Sequence, residues 1–159
     1  VRIGRAWDKW GELTGVLCDR KVPQKLKVLI YKTVIRPVLL YGAETWPLTD
    51  YLAERFSVCE MRMLRYCLGI SLEEHKTNKS IRQEAIVMSV LDLMRRRRLQ
   101  WFGHVCRREE DDDIRRVHEV RVEGRRNGGR PKHRWKDTIR KDLQSCSLSE
   151  EDAQDRIRW

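Results

Sequence analysis

Apolar side chains recur along this chain at three- and four-residue steps, and no stretch of useful length alternates in steps of two. Ile3, Trp7, Trp10 and Leu13 or Val16 trace one face of a helix over residues 1–17, because that spacing stacks side chains on one side of an α-helix. Asp19-Arg20-Lys21-Val22-Pro23 is a turn, and Pro23 suits an early position of the next helix, where its missing N–H costs nothing. That helix spans about 24–36 through Leu26, Leu29 or Ile30, Thr33 and Val34. Pro37 is expected to kink or break it, and Gly42 punctuates the apolar segment that follows. A third helix is predicted over about 50–68, capped by Thr49 or Asp50 and stopped at Gly69. Its inner face carries Leu52, Phe56, Cys59 or Glu60, Met63 and Cys67.

The polar segment Ser71 to Asn78 leads to a short helix at about 79–87. Ser89-Val90-Leu91-Asp92 has the spacing of a capping box and opens a helix over about 90–107. The apolar stripe of that helix is Leu91, Met94, Leu99 or Arg98, Trp101 or Phe102, and Val105. The acidic run Glu109 to Asp113 favours a helix N-terminus at about 111–120, where negative charge meets the positive end of the helix dipole. Another helix follows at about 135–145, and Ser147 or Ser149 caps a last one. These patterns define an all-α fold.

Composition bounds the class. A hydrophobic fraction of 40% suffices for a core. No apolar run approaches the ~18 residues of a membrane span; the longest, Val34 to Tyr41, is interrupted by Arg36 and Pro37. No secretory signal is visible, so an intracellular location, nucleus or cytoplasm, is expected. The absent initiator Met and the ending Arg158-Trp159 suggest a piece of a longer polypeptide. Five cysteines at irregular spacing do not form a disulfide framework. His104, Cys106, His118 and His133 come near one another in sequence, but without a C-x-x-C or H-x-x-x-H pair no structural zinc and no resident cofactor are expected.

The formal charge of +10 is unevenly placed. Residues 1–94 carry 15 basic and 11 acidic side chains, residues 95–141 carry 17 and 8, and residues 142–159 carry 2 and 5. The excess surrounds Gly124-Arg125-Arg126-Asn127-Gly128-Gly129-Arg130-Pro131-Lys132-His133-Arg134-Trp135, a segment whose glycines and proline forbid a regular helix. A cationic loop with an aromatic end points to a polyanion whose bases can stack, hence to nucleic acid. Arg130-Pro131 beside glycines is a partial AT-hook, lacking the arginine on the other side of the central glycine. The alternative is a loop that grips backbone without reading bases.

Arg95-Arg96-Arg97-Arg98 wraps its helix, so some of the four must meet acidic partners or phosphates. Trp101 and Phe102 follow, and each reads either as core or as a base-facing ring. Asp111-Asp112-Asp113 diverge by about 100° per residue on a helix, which suits a capping turn better than a two-metal site. There is no nucleophile elbow, Walker loop or dinucleotide fingerprint, and no catalytic residue is assigned.

Several blocks, in order, carry a resemblance: Cys18 to Pro23 (CDRKVP), Tyr31 to Trp46 (YKTVIRPVLLYGAETW), Glu60 to Arg65 (EMRMLR) with Gly69, Arg98 to Arg107 (RLQWFGHVCR) and Gly129 to Trp135 (GRPKHRW). Together they resemble the region just after the polymerase core of LINE-type (non-LTR) retrotransposon reverse transcriptases, over about residues 2–159. The resemblance implies a parent RNA-directed DNA polymerase, usually with an endonuclease, whose palm uses Mg2+ held at a Tyr-x-Asp-Asp turn. That turn is absent here. The implied division is a thumb-like region at 1–70, a helical connector with the Arg-rich helix at 71–120, a basic loop at 121–134 and C-terminal helices at 135–159. A thumb holds a template–primer duplex against the palm, so the implied partners are RNA, DNA and the missing palm, with no membrane. Lys25, Lys27, Lys32, Arg36 and Arg62 would contact the duplex backbone. Arg95, Arg97, Arg98, Trp101 and His104 of the Arg-rich helix, and Arg125, Arg126, Arg130, Lys132, Arg134, Trp135 and Lys136 of the loop region, complete the nucleic-acid-binding set. Two other readings remain open: a helical protein-interaction module or decayed transposon remnant, and a minor-groove DNA binder.

Overall fold

A computed structural model describes residues 2–120, 128–129, 133–156 and 159. The fold is all-α, with no strand among the described residues. No helix among them is long and apolar enough to cross a membrane. The chain forms two compact units, residues 1–42 with 50–94, and residues 43–49 with 95–159.

In the first unit, α1 (Arg2–Glu12) buries Ala6 and Trp10, one helical repeat apart. The chain re-enters a helix as the single turn α2 (Thr14–Leu17), so the expected helix over 1–17 is interrupted at Leu13. Pro23 lies just outside α3 (Gln24–Ile30), in extended backbone. Pro37 does not break the helical path. α3 runs into a π-helical turn (Tyr31–Ile35) and then α4 (Arg36–Leu39), which contains Pro37. Proline lacks an N–H and crowds the carbonyl four residues earlier. The wider π turn immediately upstream takes up that conflict and leaves Tyr31 and Ile35 buried.

Gly42, at φ 72°, then turns the chain out of the helix. α5 (Asp50–Leu68) has the predicted bounds and ends at Gly69, φ 65°. It buries Phe56, Cys59, Met63, Leu64 and Cys67, and also Glu60. α6 (Asn78–Ala85) starts at Thr77, whose hydroxyl accepts the Ser80 N–H at 3.2 Å. It stops at Ile86, which holds a left-handed φ of 52° that a β-branched residue adopts only under strain. Glu60 fastens this end of the unit: its carboxylate accepts the Arg82 Nε–H and the Val90 N–H, both at 2.9 Å. Ser89 Oγ accepts the Leu91 N–H at the start of α7 (Val90–Cys106).

The second unit takes α7 from Arg95 onward, together with α8 (Asp113–Glu119), α9 (Trp135–Ser145) and short 3-10 turns at Ala43–Thr45 and Glu151–Gln154. Its core is Leu99, Phe102, Ile139, Leu143 and Ala153, with Cys106, Trp135, Leu148 and Trp159 packed against it. Asp112 caps α8 by accepting the Ile114 N–H at 2.9 Å, so the acidic run does serve a helix start. Its carboxyl is held below the usual range by the Arg108 guanidinium. Ser149 and Asp152 form a reciprocal capping pair, but on a 3-10 turn in place of the predicted last helix. Hydrogen bonds that tie residues 43–49 into this unit include Trp135 Nε1–H to the Glu44 carbonyl at 2.7 Å and Leu48 N–H to Thr138 Oγ1 at 3.2 Å.

Candidate nucleic-acid interface

The four consecutive arginines of α7 divide by helix geometry. Arg98 lies one helical repeat from both Met94 and Phe102, on the inward stripe, and is 1% exposed. Its Nε donates to Asp142 Oδ2 at 2.7 Å, and Arg95 lies 3.6 Å from Asp142 Oδ1. Arg98 is therefore a core residue and not a surface contact: a guanidinium this deep requires a carboxylate, and α9 supplies it. Arg97 is half-buried, and Arg96 is exposed.

In the first unit, Lys25 and Arg62 are exposed as a phosphate contact demands. Lys27 is not: it is 8% exposed, buried beside Val28. Arg36 is half-buried over the ring of Tyr31, 5.9 Å from its centroid. Lys32 reaches the Ile86 carbonyl at 3.4 Å. Arg62 also borders a groove with Trp7, Tyr66 and Leu72; of these three, sequence reading named only Trp7, on a helix face.

Trp101 of the Arg-rich helix and Arg134, Trp135 and Lys136 of the loop region line one groove of the second unit, of about 630 Å3. α8 adds Ile114, Val117 and His118, and the first turns of α9 add Arg140. Among the described residues, none that lines the groove is an aspartate or glutamate. Asp137 lies 3.7 Å from Arg140, and Glu150 and Glu119 act on His118 from outside the groove. Asp137 also accepts the Arg134 backbone N–H at 2.9 Å, which lowers its carboxyl and sets the entry of α9. Arg134 has no acceptor atom and cannot make the reciprocal half of a capping box.

The rings in the groove have distinct duties. Trp135 is an anchor: its indole N–H is bound by Glu44, and His118 meets its ring edge-on at 5.7 Å and 89°. Trp101 is half-buried, with His104 tilted against it at 5.6 Å. His104 is exposed and lies 3.1 Å from Arg108. Burial, and then Lys136, push the His118 imidazole below its ordinary pKa, so it is neutral near pH 7.

Arg125, Arg126, Arg130 and Lys132, and with them the hook-like Arg130-Pro131, lie outside the described residues. Among the described residues no group of three or more His, Cys, Asp or Glu could hold a metal ion. All five cysteines are free. Burial pushes the Cys59 thiol up to about 11 and the Cys67 thiol up to about 12, which makes both inert core groups. Sequence reading missed Asp142, Arg140 and the apolar face of α8; the three-residue step from Ile114 to Val117 was the available signal for that face.

No protein-family profile matches the chain, and no solved structure does. A protein of Caenorhabditis elegans described as uncharacterized and transposon-derived is 30% identical over 130 residues. The match covers 79% of this chain and 47% of that protein, so the chain spans about half the length of its relative. That likeness fits a transposon-related origin. The relative's described origin is the coarse part of what the ordered sequence blocks imply.

Proposed function

We propose that this chain is the thumb and post-polymerase segment of a LINE-type reverse transcriptase, non-catalytic by itself, and that it binds RNA and DNA. The resemblance of the ordered blocks supports the parentage, and the transposon-derived relative is consistent with it. One observation carries the binding role: Trp101, Arg134, Lys136 and Arg140 line a single groove in which no described lining residue is a carboxylate. Such a groove attracts a phosphate backbone and repels nothing in it. Exposed Lys25 and Arg62 give the first unit cations of its own for backbone contact. In this reading the parent's Mg2+ chemistry belongs to its palm.

The test is a titration of the whole chain against RNA–DNA hybrid, A/T and G/C duplex, and single-stranded RNA at several salt concentrations. Binding that weakens steeply with salt and ignores sequence is expected. Preference for A/T duplex would favour the hook-like minor-groove reading. The exposed Leu26 and Leu29 of α3 favour a protein-interaction surface as the second reading, and no binding to any nucleic acid at physiological salt would select it.

A further inference from the structure

We propose that the groove of the second unit holds one unpaired nucleic-acid strand, with a base lodged against Trp101 and the adjoining phosphates on Arg134, Lys136 and Arg140. This rests on the nucleic-acid-binding reading above and narrows it to strandedness at one site.

The groove lining has two characters. Arg134, Lys136 and Arg140 make it cationic, and no described lining residue is acidic. Ile114, Val117 and Val120 make it apolar as well, and all three are exposed, Val117 by 75%. A phosphate backbone satisfies the cations but does nothing for the apolar side chains. A base face satisfies those, because aromatic and aliphatic side chains stack on any base regardless of sequence. In a duplex those faces are already stacked on neighbouring bases, and a protein meets chiefly backbone and groove edges. Only an unpaired strand offers charge and base faces to the same site.

The rings support this division. Trp135 is held by the Glu44 carbonyl and by His118, so it forms a wall. Trp101 projects from α7 into the same groove and is half-buried, leaving part of its surface open. His118, neutral near pH 7, adds a ring edge without adding charge. The volume of about 630 Å3 falls within the roughly 300–1,000 Å3 typical of sites for small organic groups, adequate for a nucleobase.

The experiment uses the whole chain and three fluorescent probes of equal length: a single strand, the same strand with abasic spacers at its centre, and an RNA–DNA hybrid. The abasic strand keeps its phosphates and loses its base faces. It is expected to bind about tenfold more weakly than the intact strand. Trp101→Ala should remove that difference by weakening intact-strand binding, while leaving hybrid binding within about twofold. Trp101→Phe, which keeps a ring, should retain most of the affinity for the intact strand. Equal binding of intact and abasic strands by the unaltered chain overturns the proposal whether or not the alanine variant folds. So does a Trp101→Phe or Trp101→Ala loss that is the same on hybrid and single strand. If hybrid binding persists in either case, the broader nucleic-acid reading survives. Failure of every probe to bind overturns both.

Discussion

Asp142 shows what a single residue decides here. It is 7% exposed and flanked by two guanidiniums. Removing either member of the close pair strands a charge, so Arg98→Ala and Asp142→Ala should each destabilise the chain by about 3–5 kcal/mol. Replacing both by well-packed apolar residues, Arg98→Met with Asp142→Leu, should cost less than either single change; urea unfolding of the three variants is the check. His118 makes a second prediction. Its pKa is lowered in the folded chain, so the unfolded chain takes up the proton first as pH falls. Stability should therefore decline as pH falls below about 6.5, and His118→Phe should flatten that decline in thermal melts. These residues also mark where sequence reading stops. The stripe of α7 admitted either Leu99 or Arg98, and both are buried. The deciding partner lies 44 residues away, which no local pattern reveals. Lys27 was misplaced for a similar reason: its helix face was read from charge, while packing in the first unit covers it.

At the scale of elements, local chemistry was the reliable guide. The bounds of α5 were legible because a cap candidate and a punctuating glycine stand at its ends, Asp50 and Gly69 at φ 65°. The path through Pro37 was not legible, since a π turn has no residue signature and arises only when packing keeps Tyr31 and Ile35 inside. Two helical glycines separate propensity from packing. A Cβ at Gly4 of α1 would meet nothing within 4 Å, so Gly4→Ala should stabilise by about 1 kcal/mol through propensity alone. A Cβ at Gly103 of α7 would come within 2.5 Å of Trp159 Nε1 and 2.8 Å of an Arg107 nitrogen. Gly103→Ala should therefore destabilise despite its better propensity, by displacing Trp159 from its hydrogen bond to the Leu99 carbonyl. Thermal melts of both variants, with the change in tryptophan fluorescence, distinguish the two effects.

At the scale of the whole molecule, the charge excess over residues 95–141 was plain from the sequence, and the groove that gathers Trp101, Arg134, Trp135 and Lys136 was not. Their convergence depends on α8, just before the basic loop, and on residues 43–49, far from it in sequence. A fragment of residues 95–159 alone lacks the carbonyl that holds Trp135, so it should melt at lower temperature than the second unit does in the whole chain; calorimetry of the two is the measurement. The same hydrogen bond sets a schedule for biosynthesis. Glu44 and Trp135 are 91 residues apart. At bacterial to eukaryotic ribosome speeds of about 5–20 residues per second, the short turn at Ala43–Thr45 waits roughly 5–20 s before its indole partner is even polymerised. For that interval the nascent chain carries half of a joint, and the Glu44 carbonyl is left to water.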